Sequence, residues 1–243
     1  MYISLMRHQH IFLNININYK MIERKTNYRL AVVIGIATFG TDREESLKHV
    51  IWSLKDQCDK IIVYNNDINP DIADNGKFFG LTNLNEPVFY ISCDDDLIVT
   101  DTYVQDIVEA IERLNTIVSF HGRQLQGLDR NYYYGHKSFR CLGEVNEEVI
   151  LDVCGTGVTG WSTEYFNPLN LIYSKDLKMS DLIFSLEAAK QGKTITLLKH
   201  KVGYIKQDDI DLTKTIAGTE CRKPNKRQME IANEIYKIKH NLK

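Results

Sequence analysis

The sequence predicts an α/β fold: a mostly parallel, Rossmann-like central sheet flanked by helices and built as one domain. Two observations carry this. Short apolar, β-branched runs of the kind buried on both faces recur along the chain. Between them lie segments whose apolar residues recur every three or four positions, as a helix packing one face requires. No internal repeat or low-complexity linker divides the 243 residues.

In order, Leu30–Ala37 is an almost unbroken β-branched run and reads as the first strand. A polar turn, Thr38 to Asp42, leads into a helix over Arg43–Cys58, with Leu47, Val50, Ile51 and Leu54 on one stripe. Lys60–Tyr64 is a second strand, closed by Asn65, Asn66 and Asp67. Strand, helix, strand implies a parallel pair and a right-handed crossover. Pro70 and the run Asp74-Asn75-Gly76 mark a turn. Pro87–Cys93 is a third buried strand that runs straight into Asp94, Asp95 and Asp96. Thr102–Leu114 reads as a helix on Val104, Ile107, Ala110 and Ile111, and Thr116–Phe120 as a strand ending at His121-Gly122-Arg123. The stretch from Gln124 to Glu148 is loop-like and aromatic. Val149–Val153 reads as a strand, Ser180–Gln191 as a helix with Ser180 as N-cap and Gly192 as stop, and Thr194–Leu198 as the last strand. Asn225–Leu242 is helical and basic, with Ile231, Ile235, Ile238 and Leu242 on one stripe. Such a helix fits either an anionic membrane surface or its own domain. The predicted organisation is an N-terminal extension over 1–29, a main domain over 30–205, and a C-terminal lid and helix over 206–243. In the extension, Ile11–Tyr19 alternates like a strand, and Met21 offers an alternative start.

Composition removes several function classes. The chain is 43% hydrophobic and carries a net charge of -2, so neither a disordered chain nor a wholly basic nucleic-acid surface is expected. Five cysteines, Cys58, Cys93, Cys141, Cys154 and Cys221, are widely spaced without a Cys-x-x-Cys pair. That argues against a disulfide framework or zinc ribbon and fits a reducing cytoplasm. No apolar run reaches the ~18–20 residues of a membrane-spanning helix.

Three successive aspartates at the end of a buried strand repel one another and lose hydration. A divalent cation would relieve both costs, and hard carboxylates suit Mg²⁺ or Mn²⁺ bridging to phosphates. A solvated acidic turn explains the same residues without a ligand. No Gly-x-Gly-x-x-Gly follows the first strand, which argues against dinucleotide chemistry.

The ordered set of motifs resembles the nucleotide-sugar glycosyltransferases of the GT-A fold, and most closely their small family-2-like bacterial and large-virus members. The motifs are IGIATFGTDREESL at Ile34–Leu47, IIVYNN at Ile61–Asn66, ADNGKFFGL at Ala73–Leu81 and YISCDDDLIVTDTYV at Tyr90–Val104. VSFHGR at Val118–Arg123, CGTGVTGW at Cys154–Trp161 and MSDLIFSLEAAKQGK at Met179–Lys193 complete them. The likeness runs from about Leu30 to His200. It departs after the aspartates, where the family pattern has Tyr-Pro and this chain does not.

The resemblance implies a metal-dependent transferase that moves a sugar from a nucleoside diphosphate sugar, expected to be UDP-linked, to a saccharide hydroxyl. It implies metal ligation by Asp96, Asp94 and His200, with Mn²⁺ or Mg²⁺ as cofactor. It places Thr38, Arg43, Asn65, Asn66, Asp74, Lys77, Asp94 and Asp95 around the donor. His121, Arg123, Gly155, Thr156 and Gly157 fall on the substrate side, and Asp181 is the expected base of an inverting reaction. Trp161 and Tyr132–Tyr134 are candidates for stacking on acceptor sugars, and a packed core accounts for these aromatics equally well. Simpler roles stand beside these. Asn65 and Asn66 suit turns, Asp181 suits a helix start, and Arg43, Lys77 and His200 suit a solvated surface. Two rival functions are a sugar-nucleotide nucleotidyltransferase, disfavoured by the single glycine in Thr38–Thr41, and a catalytically silent nucleotide-sugar binder.

Overall fold

Why the first strand reads as unbroken apolar sequence is plain from its surroundings: both of its faces are covered. The computed structural model describes residues 25–211 and 225–242. The expectations for Ile11–Tyr19 and Met21, and the part of the predicted lid over 212–224, lie outside the described residues, as does Cys221. In chain order the elements begin with β1 (Ala31–Thr38), a 3-10 turn (Thr41–Arg43), α1 (Glu44–Leu54) and β2 (Lys60–Asn65). A long 3-10 stretch (Ala73–Asn83), β3 (Val88–Asp94), β4 (Leu97–Val99) and α2 (Tyr103–Leu114) follow. Then come β5 (Ile117–Ser119), β6 (Gly122–Gln124), β7 (Lys137–Phe139), β8 (Val149–Leu151), β9 (Val153–Cys154) and β10 (Val158–Ser162). A 3-10 turn (Leu169–Tyr173), α3 (Ser180–Lys190), β11 (Ile195–Leu197), β12 (Ile205–Gln207) and α4 (Lys226–Lys239) complete the fold.

Seven strands form the central sheet in the order β2-β1-β3-β10-β5-β11-β8. β1 pairs parallel with β2 on one side and β3 on the other. β10 is antiparallel to both β3 and β5, and β8 is an antiparallel edge beside β11. The sheet is therefore mostly parallel, as the sequence predicts, with two reversed strands. One face packs Val32, Ile34 and Ile36 of β1 against Leu47, Val50 and Leu54 of α1 and Ile107 and Ile111 of α2. The other packs Ala31 and Val33 against Phe78, Trp161, Phe184 of α3, and Ile231 and Ile235 of α4. The stripe of the basic C-terminal helix is thus covered by its own domain. Ile238 and Leu242 at its end stay exposed. No helix of the described residues is long and apolar enough to cross a membrane.

Three departures from the predicted elements have physical causes. β10 lies centrally and is fully buried, yet its sequence, VTGWS, gives no continuous apolar run. Gly160 is there because α2 crosses the strand so closely that a Cβ would stand 2.4 Å from the Ile107 side chain. The predicted strand Val149–Val153 is two strands in two sheets, because Asp152 leaves the ladder. Its N–H donates to Arg123 O at 2.9 Å and its Oδ2 accepts from Leu125 N at 2.7 Å. Gly76, read as a turn signal, sits instead inside the 3-10 stretch.

The entry of the chain into β1 is fixed by Asp59. Its carboxylate accepts from the backbone of Lys25, Thr26 and Val32 and from the Thr26 hydroxyl. Burial alone would push this carboxyl up, but the hydrogen bonds outweigh it and hold it below the ordinary 3.8. A depressed pKa contributes stability that is complete above 3.8 and is lost as pH falls through the folded value. Asp59→Asn is accordingly expected to lose about 1.5–3 kcal/mol at neutral pH. Urea denaturation should show the gap to wild type closing in acid, below the ordinary carboxylate range.

Candidate active site

β1 lies between β2 and β3, so the connections leaving its two neighbours diverge. This opens a crevice at the carboxyl ends of the strands, where open α/β sheets take their ligands. A cavity of about 820 Å³ occupies that crevice. Thr38 ends β1 and Asp94 ends β3, and both line it. So do Arg43, Asn66, Asp74, Lys77, Asp95, Asp96, His121, Arg123, Gly155, Gly157 and Asp181. Of the predicted site residues, Asn65, Thr156 and His200 do not line it.

The charge of the triplet is partly offset by two of the chain's own cations. Lys77 Nζ donates to Asp94 Oδ1 at 2.5 Å. Arg43 Nη1 lies 3.1 Å from Asp96 Oδ2 and 3.5 Å from Asp95 Oδ1. The Thr38 hydroxyl donates to Asp95 Oδ2 at 2.7 Å, and the Ser46 hydroxyl to the Asp95 carbonyl at 2.7 Å. Burial pushes the Asp95 carboxyl up to about 6 against the pull of Thr38 and Arg43. Burial and then the Asp94 charge raise Asp96, while Arg43 opposes. Gly157 is required beside them. A Cβ there would stand 2.0 Å from Asp94 Oδ2, so only glycine admits the carboxylate.

Lys77 and Asp74 come from the 3-10 stretch, whose residues three apart share a face. This stretch is pressed onto β1, where a Cβ on Gly35 would stand 2.1 Å from the Lys77 carbonyl. The Tyr90 hydroxyl donates to that carbonyl at 2.7 Å. Lys77 is 4% exposed, not a surface lysine. Burial lowers its pKa, but Asp94 and Asp74 more than reverse this and keep it charged. Asp74 Oδ2 accepts from Ser180 N at 3.0 Å, while Oδ1 is buried without a partner. Burial raises the Asp74 pKa, with Lys77 opposing. The two asparagines divide. Asn66 is buried and bonds the carbonyls of Thr38 and Ala73 and the Ile72 N–H, tying β1 to the 3-10 stretch. Asn65 accepts from Asp67 N at 2.8 Å and forms the turn.

On the opposite wall Asp181 opens α3, but it does not cap it. No side chain caps this helix, whose N-cap is Met179 and not the predicted Ser180. Asp181 Oδ1 instead accepts from both the Thr156 N–H and the Thr156 hydroxyl at 2.8 Å. Ser180 donates its N–H to Asp74 and meets Thr156 Oγ1 at 2.8 Å through its hydroxyl. Thr156 thus orients the carboxylate from behind the cavity wall. The Asp181 Oδ2 atom takes no hydrogen bond among the described residues.

His121 packs its ring where a Cβ on Gly155 would stand 2.5 Å away. Burial, helped by Arg123, lowers its pKa to about 4, so the ring is neutral at neutral pH. Its Nδ1 accepts from Cys141 N at 3.4 Å, which leaves the proton on Nε2. Arg123 donates to the Tyr132 hydroxyl at 3.0 Å and lies over the Tyr132 and Tyr133 rings. Both tyrosines line the cavity, and Tyr134 does not. Trp161 is a correction. It is fully buried against Tyr90, Phe78, Phe166 and Phe184 and cannot stack on a ligand. His200 is another. It is buried, with Nδ1 turned to the Leu198 carbonyl at 2.9 Å and Nε2 to the Arg140 carbonyl at 3.3 Å, so neither ring nitrogen is turned to the cavity as a metal ligand. Gln207 and Gln228 line the cavity and were not singled out by the sequence, because each comes from a tail outside the motifs.

Without His200, the donor set is carboxylate alone. Among the described residues no group of three or more His, Cys, Asp or Glu side chains is arranged to hold a metal. Mg²⁺ and Mn²⁺ bound through phosphates need only one or two carboxylates, since water and substrate oxygens complete the shell. Asp94 and Asp96 meet that requirement: their oxygens are hard and both residues line one cavity. No protein-family model matches the chain, and no curated protein sequence matches it.

The Lys77 ion pairs give a direct test of this charge arrangement. Lys77→Met strands the Asp74 and Asp94 charges, and a broken buried pair costs about 3–5 kcal/mol. The low end is expected, because the Asp94 side chain is 43% exposed and can be rehydrated. Adding Asp74→Asn should recover about 1 kcal/mol or more, since contacting residues couple by roughly 0.5–3 kcal/mol. Urea denaturation of the two single variants and the double variant reads that coupling.

Proposed function

We propose that the protein is a glycosyltransferase of the GT-A type that moves a sugar from a nucleoside diphosphate sugar, UDP-linked, to a saccharide hydroxyl with inversion. One observation carries the proposal. The cations and carboxylates expected around a donor, and a carboxylate suited to act as base, converge on one cavity at the sheet's switch point. Asp94 and Asp96 would hold Mg²⁺ or Mn²⁺. That ion, when bound, offsets charge gathering on the departing diphosphate.

The roles of the chain's own groups follow from their positions. Thr38 and Asn66 form the floor beneath the nucleotide, where β1 and β2 end. Arg43 and Lys77 supply positive charge for the phosphates, and Arg43 is the one near the cavity's edge at 13% side-chain exposure. The neutral His121 offers an Nε2–H to a sugar hydroxyl. Tyr132 and Tyr133 line the acceptor side. Asp181 takes the proton of the acceptor hydroxyl through Oδ2, because Oδ1 is held by Thr156. As the proton leaves, the acceptor oxygen forms its bond to the anomeric carbon. The bond from that carbon to the diphosphate oxygen breaks, and its electron pair departs with the diphosphate.

The first test is binding. In a melting-temperature panel of nucleoside diphosphate sugars, at least one should raise stability with Mn²⁺ and lose that effect in EDTA. Ligand at a hundredfold excess over Kd adds about 2.7 kcal/mol. A panel that leaves the melting temperature unmoved, with and without Mn²⁺, overturns the proposal.

The second test is chemical. Asp181→Asn keeps the shape and the acceptor role of Oδ1 but removes the base. Turnover is expected to fall by about 10²–10⁴-fold, with donor binding little changed. Normal turnover in a folded Asp181→Asn protein assigns the proton to another group.

A further inference from the structure

We infer that Arg43 is a resident cation of the acidic triplet, which excludes divalent metal from Asp96 until a diphosphate draws the guanidinium away. This rests on the assignment of the triplet as a divalent-cation site.

The contact geometry supports an exchangeable plug. A single nitrogen, Nη1, serves both carboxylates, at 3.1 Å to Asp96 Oδ2 and 3.5 Å to Asp95 Oδ1. Neither distance is the paired, parallel fork that makes an arginine–carboxylate contact strong. The remaining nitrogens, Nε and Nη2, make no hydrogen bond to the described residues. They are therefore available to a phosphate while Nη1 still holds the triplet, so transfer from one partner to the other needs no fully unpaired intermediate. Lys77 differs. It is nearly inaccessible, held by Asp94 and flanked by Asp74, so it stays.

Arg43 ends the single 3-10 turn between Gly40 and α1. Asp95 has partners besides it: its Oδ2 accepts from the Thr38 hydroxyl and its carbonyl from the Ser46 hydroxyl. Withdrawal of Arg43 therefore leaves Asp95 hydrogen-bonded.

The charges settle the direction of coupling. The cavity wall carries six carboxylates, Asp71, Asp74, Asp94, Asp95, Asp96 and Asp181, against Arg43, Lys77, Arg123 and Lys178. A metal that enters alone must compete with a guanidinium at contact distance from the same oxygens. A diphosphate that enters with it gives that guanidinium a new anionic partner. Metal and diphosphate must then strengthen each other's binding, and by linkage they do so equally.

Titration of Mn²⁺ alone, followed by electron paramagnetic resonance of the free ion, tests the first half. Arg43→Gln should bind Mn²⁺ at least about tenfold more tightly than wild type, since a unit charge at contact distance is worth several kcal/mol near a surface. Arg43→Lys, which keeps a charge, should stay nearer to wild type. Lys48→Gln removes an equal charge one turn along α1, where Lys48 pairs with Glu44 and Glu45, and should change nothing. Asp96→Asn should abolish the binding. Repeating the titration with UDP should tighten Mn²⁺ more in wild type than in Arg43→Gln. If Mn²⁺ binds wild type and Arg43→Gln alike, or Lys48→Gln tightens it as much, the Arg43 inference fails while the metal site stands. If neither protein binds Mn²⁺, with both melting normally, the metal site itself fails and the inference with it. Equal UDP enhancement in both proteins overturns the coupling.

Discussion

Everything in the crevice answers to one constraint: three carboxylates follow one another off the end of a buried strand. β3 is apolar because both sheet faces are covered, so the chain leaves it with little solvent to screen Asp95 and Asp96, whose side chains are 13% and 12% exposed. Each surrounding element contributes a specific correction. The 3-10 stretch lies close on β1, at Gly35, and so delivers Lys77 to Asp94. The turn after β1 delivers Arg43 to Asp95 and Asp96. β10 brings up Gly157, which has no side chain to collide with Asp94. The burial that makes the sheet stable is the same burial that makes the triplet costly, so fold and site share one energetic origin.

The parts of this arrangement that were legible in the sequence are those dictated by local pattern. β1, β3 and α2 announce themselves through uninterrupted or 3–4-spaced apolar residues. The triplet is conspicuous because its placement at a strand end is unfavourable without compensation. What could not be read depends on a neighbour. β10 is buried because α2 lies on Gly160, and nothing in VTGWS reports α2. His200 follows the strand the sequence reads as the last, where the resemblance expects a metal ligand, yet its two ring nitrogens are turned to carbonyls of Leu198 and Arg140. Trp161 has the side chain of a sugar platform, but it is the centre of an aromatic cluster. In both cases the residue type suited a ligand, and tertiary packing assigned it elsewhere.

Asp181 shows the opposite outcome. A carboxylate in the first turn of a helix is usually explained by the dipole and the free N–H groups there. Here its Oδ1 crosses to Thr156, on the segment leading into β10. Ser180, next to it, bonds Asp74 from the 3-10 stretch. The contacts run continuously from Asp94 through Lys77 and Asp74 to Ser180, Thr156 and Asp181. The hydrogen bonds among these contacts have preferred lengths and directions, so they constrain the distance between the two walls. A reaction that needs a proton acceptor opposite a leaving group depends on that distance.

The two walls are nevertheless built from different material. The wall carrying Thr38 and Asp94 is the sheet itself. The wall carrying Tyr132, Tyr133 and Asp181 is made of loops and the start of α3, and these are gathered by the C-terminal helix. Arg227 makes a paired contact with Asp176, just before α3, at 3.0 and 2.9 Å. Asn233 and Asp129 exchange hydrogen bonds across to the loop that carries the tyrosines. Lys239 reaches the Leu151 carbonyl and Asp152, where β8 passes into β9. Between these ties Ile231 and Ile235 bury the helix's stripe, and Gln228 reaches the cavity. The polar residues of this helix therefore act as three clamps on the wall that carries Asp181, and its position outside the motif-bearing region becomes intelligible. The sheet wall is constrained by the triplet and its cations and tolerates little change. The helix can alter Gln228 or its clamps, and so reshape the opposite wall, without disturbing a single contact to Asp94, Asp95 or Asp96.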